Sequence, residues 1–304
     1  MVMSLPEFPD FKPLELEDRP FFHNVLYKYG PGISEMTFTN LFIWRGHYSF
    51  QWTVYKDWLL IICNEGGASG AYAFQPVGPS SRKEAVVALL EWLRDEKNIE
   101  NPRIERADER CVAELEGMKH IVIEPLRDHF DYVYRREDLV TLAGSKYRSK
   151  RNHINQLLRF YSFEYELLQE KHIDDCLALQ EKWCQMNRCE DDLDLLSEDE
   201  AIREILTQYS ALHVQGAVIT IGGRVGAFTA GEQLNNDTVV IHIEKADPDI
   251  PGLYPLINQQ FCKNMRDDAI YINREQDLGI NGLRKAKLSY NPDHFVEKYR
   301  ITMK

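Results

Sequence analysis

Twice along the chain, apolar residues spaced for helices give way to strand-like alternation in the same order: helix, helix, hairpin, strand, helix, strand. In the first half, "RPFFHNVLYKYG" and "SEMTFTNLFIWRGHY" carry helical spacing, with Ser34 or Thr37 as caps. "SFQWTVYKDWLLIICNEGG" alternates at Phe50, Trp52 and Val54, turns near Lys56-Asp57 and returns through Leu59 to Ile62, and "GAYAFQPVG" adds a third strand. "SSRKEAVVALLEWLRDEKN" sets apolar residues 86, 89, 90 and 93 on one helix face. Strand, helix and strand follow at 103–106, 108–118 and 120–124, and a further strand ends at Tyr134. A short helix over 137–143, broken by Gly144, leads to a basic helix from Ser145. The order then restarts: strand 162–168, helix 171–187, an acidic surface loop within "RCEDDLDLLSEDE", helix 198–208, strands 212–221, 224–232 and 238–244, helix 253–267, strand 269–272 and a last strand near 295–301. No repeat of sequence accompanies the repeated order. The pattern predicts an α+β (mixed α/β) protein with mostly antiparallel sheets flanked by helices, in two domains, 1–135 and 136–304.

Bulk properties narrow the function. A net charge of -12 argues against a protein that coats nucleic acid nonspecifically, while leaving room for one local basic groove. No apolar run reaches the roughly 18 residues a membrane-spanning helix needs, and the N-terminus lacks the basic and apolar regions of a secretory signal. Six cysteines (Cys63, Cys111, Cys176, Cys184, Cys189, Cys262) form no CxxC pair. They read as reduced thiols of a cytoplasmic protein, with no metal site expected.

Three stretches concentrate chemistry. "YINREQDLGINGLRKAKLSYNP" (271–292) leaves an apolar strand through Asn273, Arg274, Glu275 and Asp277, passes Gly279 and Gly282, and adds Arg284, Lys285 and Lys287. Carboxylates and cations together suit a zwitterionic or phosphorylated ligand; a solvated charged face would have the same composition. In "HIEKAD", alternation puts His242 and Glu244 on one face of a strand and Lys245 on the other. "SKYRSKRNH" carries Lys146, Arg148, Lys150 and Arg151, a basic cluster suited to an anionic partner: a tRNA acceptor arm, a lipid headgroup or a phosphorylated small molecule.

"FTNLFIWRGHY", "KYRSKRNHINQLLRF", "HIEKADPDIPGLYPLINQQF" and "GLRKAKLSYNP" resemble an uncharacterised bacterial family grouped with the C-terminal catalytic domain of phosphatidylglycerol lysyltransferases. The resemblance implies two GNAT-like acyltransferase domains in tandem, and a transferase moving an aminoacyl group onto an amine or hydroxyl. GNAT enzymes that use acyl-CoA hold its pyrophosphate on a glycine-rich loop at a helix N-terminus. Here the corresponding loops read "EKADPDIPGLY" and "QPVGPSSRKE", each with a single glycine. Aminoacyl-tRNA is therefore expected as donor ahead of acyl-CoA, with no other cofactor. In this reading Glu244 is the general base, and His242, Lys245, Asn273, Arg274, Glu275 and Asp277 orient substrate. Arg284, Lys285 and Lys287 meet a phosphate, and Lys146, Arg148, Lys150 and Arg151 meet the anionic partner. An acyl-CoA N-acyltransferase and a non-catalytic binding module of the same fold are the alternatives.

Overall fold

The structure is a computed structural model that describes residues 5–64, 70–265 and 268–304. The chain forms two compact units. The first takes the sequence up to Asp131 together with Gln276–Gly279 and Val296–Lys304; the second takes Tyr132–Glu275 and Ile280–Phe295. The last residues, expected in the second domain, thus belong to the first unit.

In the first unit, strands β1 (Lys12–Pro13), β2 (Gln51–Tyr55), β3 (Trp58–Cys63), β4 (Tyr72–Phe74), β5 (Arg103–Ala107) and β6 (Ile121–Pro125) accompany helices α1 (Arg19–Tyr29), α2 (Phe38–Ile43), α3 (Arg45–Tyr48), α4 (Lys83–Asp95) and α5 (Glu109–Leu115). Lys56, with φ of 53°, makes the β2–β3 turn where the sequence places it. The apolar face of α4 (Val86, Leu89, Leu90, Leu93) is fully buried against Leu60, Ile62 and Ile104 of the sheet, which is where its helical spacing finds a use.

The second unit contains β7 (Asp131–Arg135), α6 (Arg136–Thr141), α7 (Arg148–Phe160), β8 (Glu164–Leu167), α8 (Ile173–Asn187), α9 (Leu193–Thr207), α10 (Tyr209–Leu212), β9 (Gln215–Ile221), β10 (Arg224–Gln233), β11 (Thr238–Ala246), α11 (Leu253–Asn264), β12 (Tyr271–Asn273), α12 (Asn281–Leu288) and β13 (His294–Val296). The chain ends in β14 (Tyr299–Met303). Gly222 and Gly223, both at positive φ, turn β9 into β10. Two residues expected at the end of the 253–267 helix, 266 and 267, lie outside the described residues.

The two sheets share one plan. Their orders are β1-β2-β3-β4-β5-β14-β6 and, read from its far edge, β8-β9-β10-β11-β12-β7-β13. In each, the fourth and fifth strands pair in parallel (β4–β5, β11–β12), while the hairpins β2–β3 and β9–β10 are antiparallel. The sixth place is filled by a strand from the other half of the sequence: β14 lies between β5 and β6, and β7 pairs with β12. The order of elements along a chain does not say which sheet a strand will join, so this exchange was not legible.

Two expectations fail. The acidic stretch is not a loop from Leu193 onward: the Asp192 side chain accepts from the amides of Asp194 and Leu195 and starts α9, which buries Ala201, Ile202, Ile205 and Leu206. Nor are all the cysteines thiols. Arg188 ends α8 in the left-handed region and brings Cys189 back beside Cys184, with which it forms a disulfide; Cys63, Cys111, Cys176 and Cys262 are buried thiols. No helix among the described residues is long and apolar enough to cross a membrane.

Candidate active site

The parallel pairing of β11 with β12 runs from Thr238↔Tyr271 to Val240↔Asn273 and stops there. Beyond it β11 continues to Ala246 while the other chain turns away. Three local devices shape that departure. The Asn273 side chain accepts from the Glu275 amide at 2.8 Å; Glu275 takes a φ of 57°; and the Glu275 carbonyl accepts from the Tyr132 amide at 3.1 Å. The result places Arg274 opposite Glu244.

Arg274 Nη2 donates to Glu244 Oε1 at 2.8 Å, and Asn258 Nδ2, from α11, donates to Glu244 Oε2 at 2.9 Å. The guanidinium lies 4.7 Å from the centroid of the Tyr290 ring and 5.8 Å from that of Tyr134. Tyr134 Oη is held by the Lys287 carbonyl at 2.9 Å and Tyr147 Oη by the Tyr290 carbonyl at 2.9 Å. Burial works against the Arg274 charge, but Glu244 and the neighbouring phenols hold it protonated. Two buried polar atoms of this group, Arg274 Nη1 and Asn258 Oδ1, have no hydrogen-bond partner among the described residues. Asn258 is 1% exposed, so an orphaned acceptor there carries a real desolvation cost. One unused donor and one unused acceptor therefore flank a single carboxylate.

His242 is not part of that group. The β10–β11 register steps from Ala230↔Ile243 to Gly231↔Ile241 and skips His242, a bulge that breaks the expected alternation with Glu244. Its ring is instead clamped between Glu232 (Nε2 to Oε1, 2.9 Å) and Glu275 (Nδ1 to Oε1, 2.8 Å). Burial alone would push the imidazole down; the hydrogen bonds and charges of the two carboxylates push it up to about 9. Lys287 reaches back to the carbonyls of Arg274 and Glu275 and ties down the same turn.

Several expected site residues go elsewhere. Lys245 lies over the Trp183 ring at 3.4 Å and pairs with Glu198 at 3.0 Å, on the α8–α9 side of the sheet. Asp277 belongs to the first unit, where it is fully buried, caps the Gly279 amide at 2.9 Å and faces Arg127 at 3.4 Å. Lys285 is exposed on α12, where Arg284 is partly buried. Of the basic helix, Lys146 pairs with Asp138, Arg151 caps α6 through the carbonyls of Leu142 and Gly144, and Arg148 is exposed. Lys150 alone of the four faces the site, with Nζ 4.0 Å from the Tyr290 ring centroid. Burial and Arg274 push it down to about 8. The residues that sequence reasoning missed are Asn258, Tyr134 and Tyr290. Tyr290 and Asn258 both sat inside quoted stretches, but neither carried a chemical signal of its own there.

The helix N-termini that follow the fourth strands are already occupied. At α11, a Cβ on Gly252 would meet the His153 carbonyl at 2.6 Å, so the backbone of α7 covers the cap. Asp247 and Asp249 line the same loop and hold Lys182 at 2.8 and 2.7 Å. At α4, the Glu114 carboxylate accepts from the Arg82 amide at 2.7 Å and from the Arg82 side chain, filling the anion position with a group of the protein itself.

Residues 28–302 match the model of the family described as phosphatidylglycerol lysyltransferase, C-terminal. A crystal structure of a conserved protein of unknown function from Bacteroides thetaiotaomicron VPI-5482 is 35% identical, covers 99% of this chain and 100% of its own, and superposes with a TM-score of 0.90. The L-PGS structure from Bacillus licheniformis is 13% identical over 99% of this chain and 94% of its own, with a TM-score of 0.64. A tandem GNAT protein from the clavulanic acid biosynthesis pathway shares the fold at 11% identity and a TM-score of 0.51, covering 97% of this chain and 98% of its own. With two mostly antiparallel, helix-flanked sheets of one plan, the chain belongs to the phosphatidylglycerol lysyltransferase C-terminal family.

Proposed function

We propose that the second unit transfers an aminoacyl group from an aminoacyl-tRNA onto a hydroxyl or amine acceptor. The observation that carries this reading is the pair of unused groups beside Glu244: the Arg274 Nη1 donor and the Asn258 Oδ1 acceptor. An aminoacyl ester offers their complements three bonds apart, a carbonyl oxygen that accepts and an α-ammonium that donates. Glu244, engaged on both oxygens, orients Arg274 and adds the negative charge an ammonium favours. As the carbonyl becomes tetrahedral its oxygen gains charge, and a guanidinium already held in place stabilises it without reorganising. The occupied helix N-termini speak against a donor held by its pyrophosphate. The family match supports the aminoacyl part, since its name specifies lysyl transfer. Exposed Arg148 and Lys285 are the cations free to meet the phosphates of a tRNA acceptor arm.

The test uses purified full-length protein, radiolabelled lysyl- or alanyl-tRNA and phosphatidylglycerol vesicles. Label is expected to move into the organic phase, while acetyl-CoA as donor yields no product. Label that stays on every tRNA, or product formed from acetyl-CoA, contradicts the reading.

A further inference from the structure

Transfer onto a hydroxyl or amine releases a proton at the attacking atom, and Glu244 already uses each of its oxygens to hold a neighbour, Oε1 on Arg274 and Oε2 on Asn258. Lys150 shares a ring with Arg274 and feels the charge of Glu244. It projects from α7 onto the Tyr290 ring, 4.0 Å from the centroid that Arg274 approaches to 4.7 Å on behalf of β12. It forms no hydrogen bond or ion pair among the described residues. The groups facing it are named easily. Arg274 repels its proton; Glu244 on β11 attracts it. Tyr134 on β7 and Tyr290 after α12 are pushed up by burial and stay neutral. On its own helix, Arg151 is turned to carbonyls, and Lys146, just before it, is turned to Asp138. A half-buried amine beside a fixed guanidinium, with no carboxylate of its own, is the environment in which a lysine exchanges protons near neutral pH.

We propose that Lys150 is the general base of the transfer, an assignment that rests on the aminoacyl-transfer reading above. The acceptor oxygen or nitrogen bonds to the acyl carbon while its proton passes to Lys150 Nζ, and the carbonyl electron pair moves onto the oxygen beside Arg274 Nη1. Collapse of that intermediate breaks the bond to the terminal ribose oxygen of the donor. That oxygen takes the proton from Nζ, so the lysine ends the cycle neutral, as it began.

Two measurements on the full chain test this. Trace acetic anhydride, which labels only neutral amines, is read lysine by lysine by mass spectrometry across neutral and alkaline pH. Lys150 is expected to titrate near 8, about two units below an ordinary lysine, and to move upward in Arg274→Gln. Titration at the ordinary lysine value overturns the proposal. In the transfer assay, Lys150→Arg keeps the charge but not the exchangeable proton. A base predicts a fall in kcat of about 100-fold or more with KM little changed, at an unaltered melting temperature. Wild-type protein that transfers while Lys150→Arg retains full activity overturns the role of the lysine alone. Wild-type protein that moves no label from any aminoacyl-tRNA defeats the transfer reading itself, and the assignment with it.

Discussion

Each unit places a buried arginine one residue past the end of its parallel strand pair, and the two arginines live in opposite circumstances. In the first unit Arg106 follows the Phe74↔Glu105 pair, lies over the rings of Tyr48 and Phe74, and faces Glu35 at 3.7 Å. In the second, Arg274 follows Val240↔Asn273, lies over Tyr290 and Tyr134, and faces Glu244 at 2.8 Å. The first cluster is balanced: Lys298, fully buried, is held by Glu35 and by Asp131 at 2.6 Å each, with Ser34 at 3.4 Å. Two cations meet two carboxylates, and Glu35 Oε1, which has no hydrogen-bond partner among the described residues, faces the Arg106 charge at 3.7 Å. The second cluster has one fixed cation, Arg274, one carboxylate, Glu244, and an amine, Lys150, with no carboxylate paired to it, along with an unused donor and an unused acceptor. One arrangement pairs each of its cations with a carboxylate; the other leaves an amine without one and a donor without an acceptor. The same position in the same fold can serve either end, and what differs is how its neighbours are paired.

The comparison breaks most readily at the first cluster. Replacing Lys298 by Met strands Glu35 and Asp131 in the interior, and unfolding in guanidinium is expected to show a loss of about 3–5 kcal/mol. A loss below about 1 kcal/mol, the worth of an exposed pair, would mean the cluster's charges are not paired.

The turn that carries Arg274 is sharpened by pH. His242 has its folded-state value raised to about 9 from an ordinary 6.5, so the stability it contributes is complete below about 6.5 and drains away as pH rises toward 9. The size is on the order of 3 kcal/mol. Unfolding free energy measured across that interval should fall in the wild type, and the fall should flatten in His242→Gln. A slope identical in both proteins would remove His242 as the clamp of Glu275.

The smallest effect belongs to the exposed cations. Lys285→Ala should change stability by less than about 0.5 kcal/mol, with a weaker dependence of transfer on salt as its only other mark. A larger loss would put α12 inside the packed structure instead of at its surface.

Much of this could be read before any coordinates. Period-two and period-3.6 patterns located the hairpins and α4, because those elements bury one face against a sheet. Glu244, Arg274 and Lys150 stood out as well, since charged residues at a strand end or clustered on one helix are conspicuous in an acidic chain, but the sequence reading made Glu244 the base and grouped Lys150 with cations for an anionic partner. The rest depended on tertiary pairing. Asn258 faces Glu244 only because α11 lies where it does, and in sequence it is one polar residue among Leu256, Ile257 and Phe261. The bulge at His242 leaves the alternation of letters intact while redirecting the side chain. Asp277 looks like its neighbour Glu275, yet the chain passes into the other unit between them.

The central claim is that the second arginine works on a ligand and the first only holds the fold. It is tested most directly by measuring aminoacyl transfer in Arg274→Gln and Arg106→Gln at matched folded fraction. The account predicts a fall in kcat/KM of about 100-fold or more for Arg274→Gln, the loss that follows removal of a preorganised oxyanion donor, and wild-type activity for the folded portion of Arg106→Gln. Equal losses in the two variants, or an unimpaired Arg274→Gln, would contradict it.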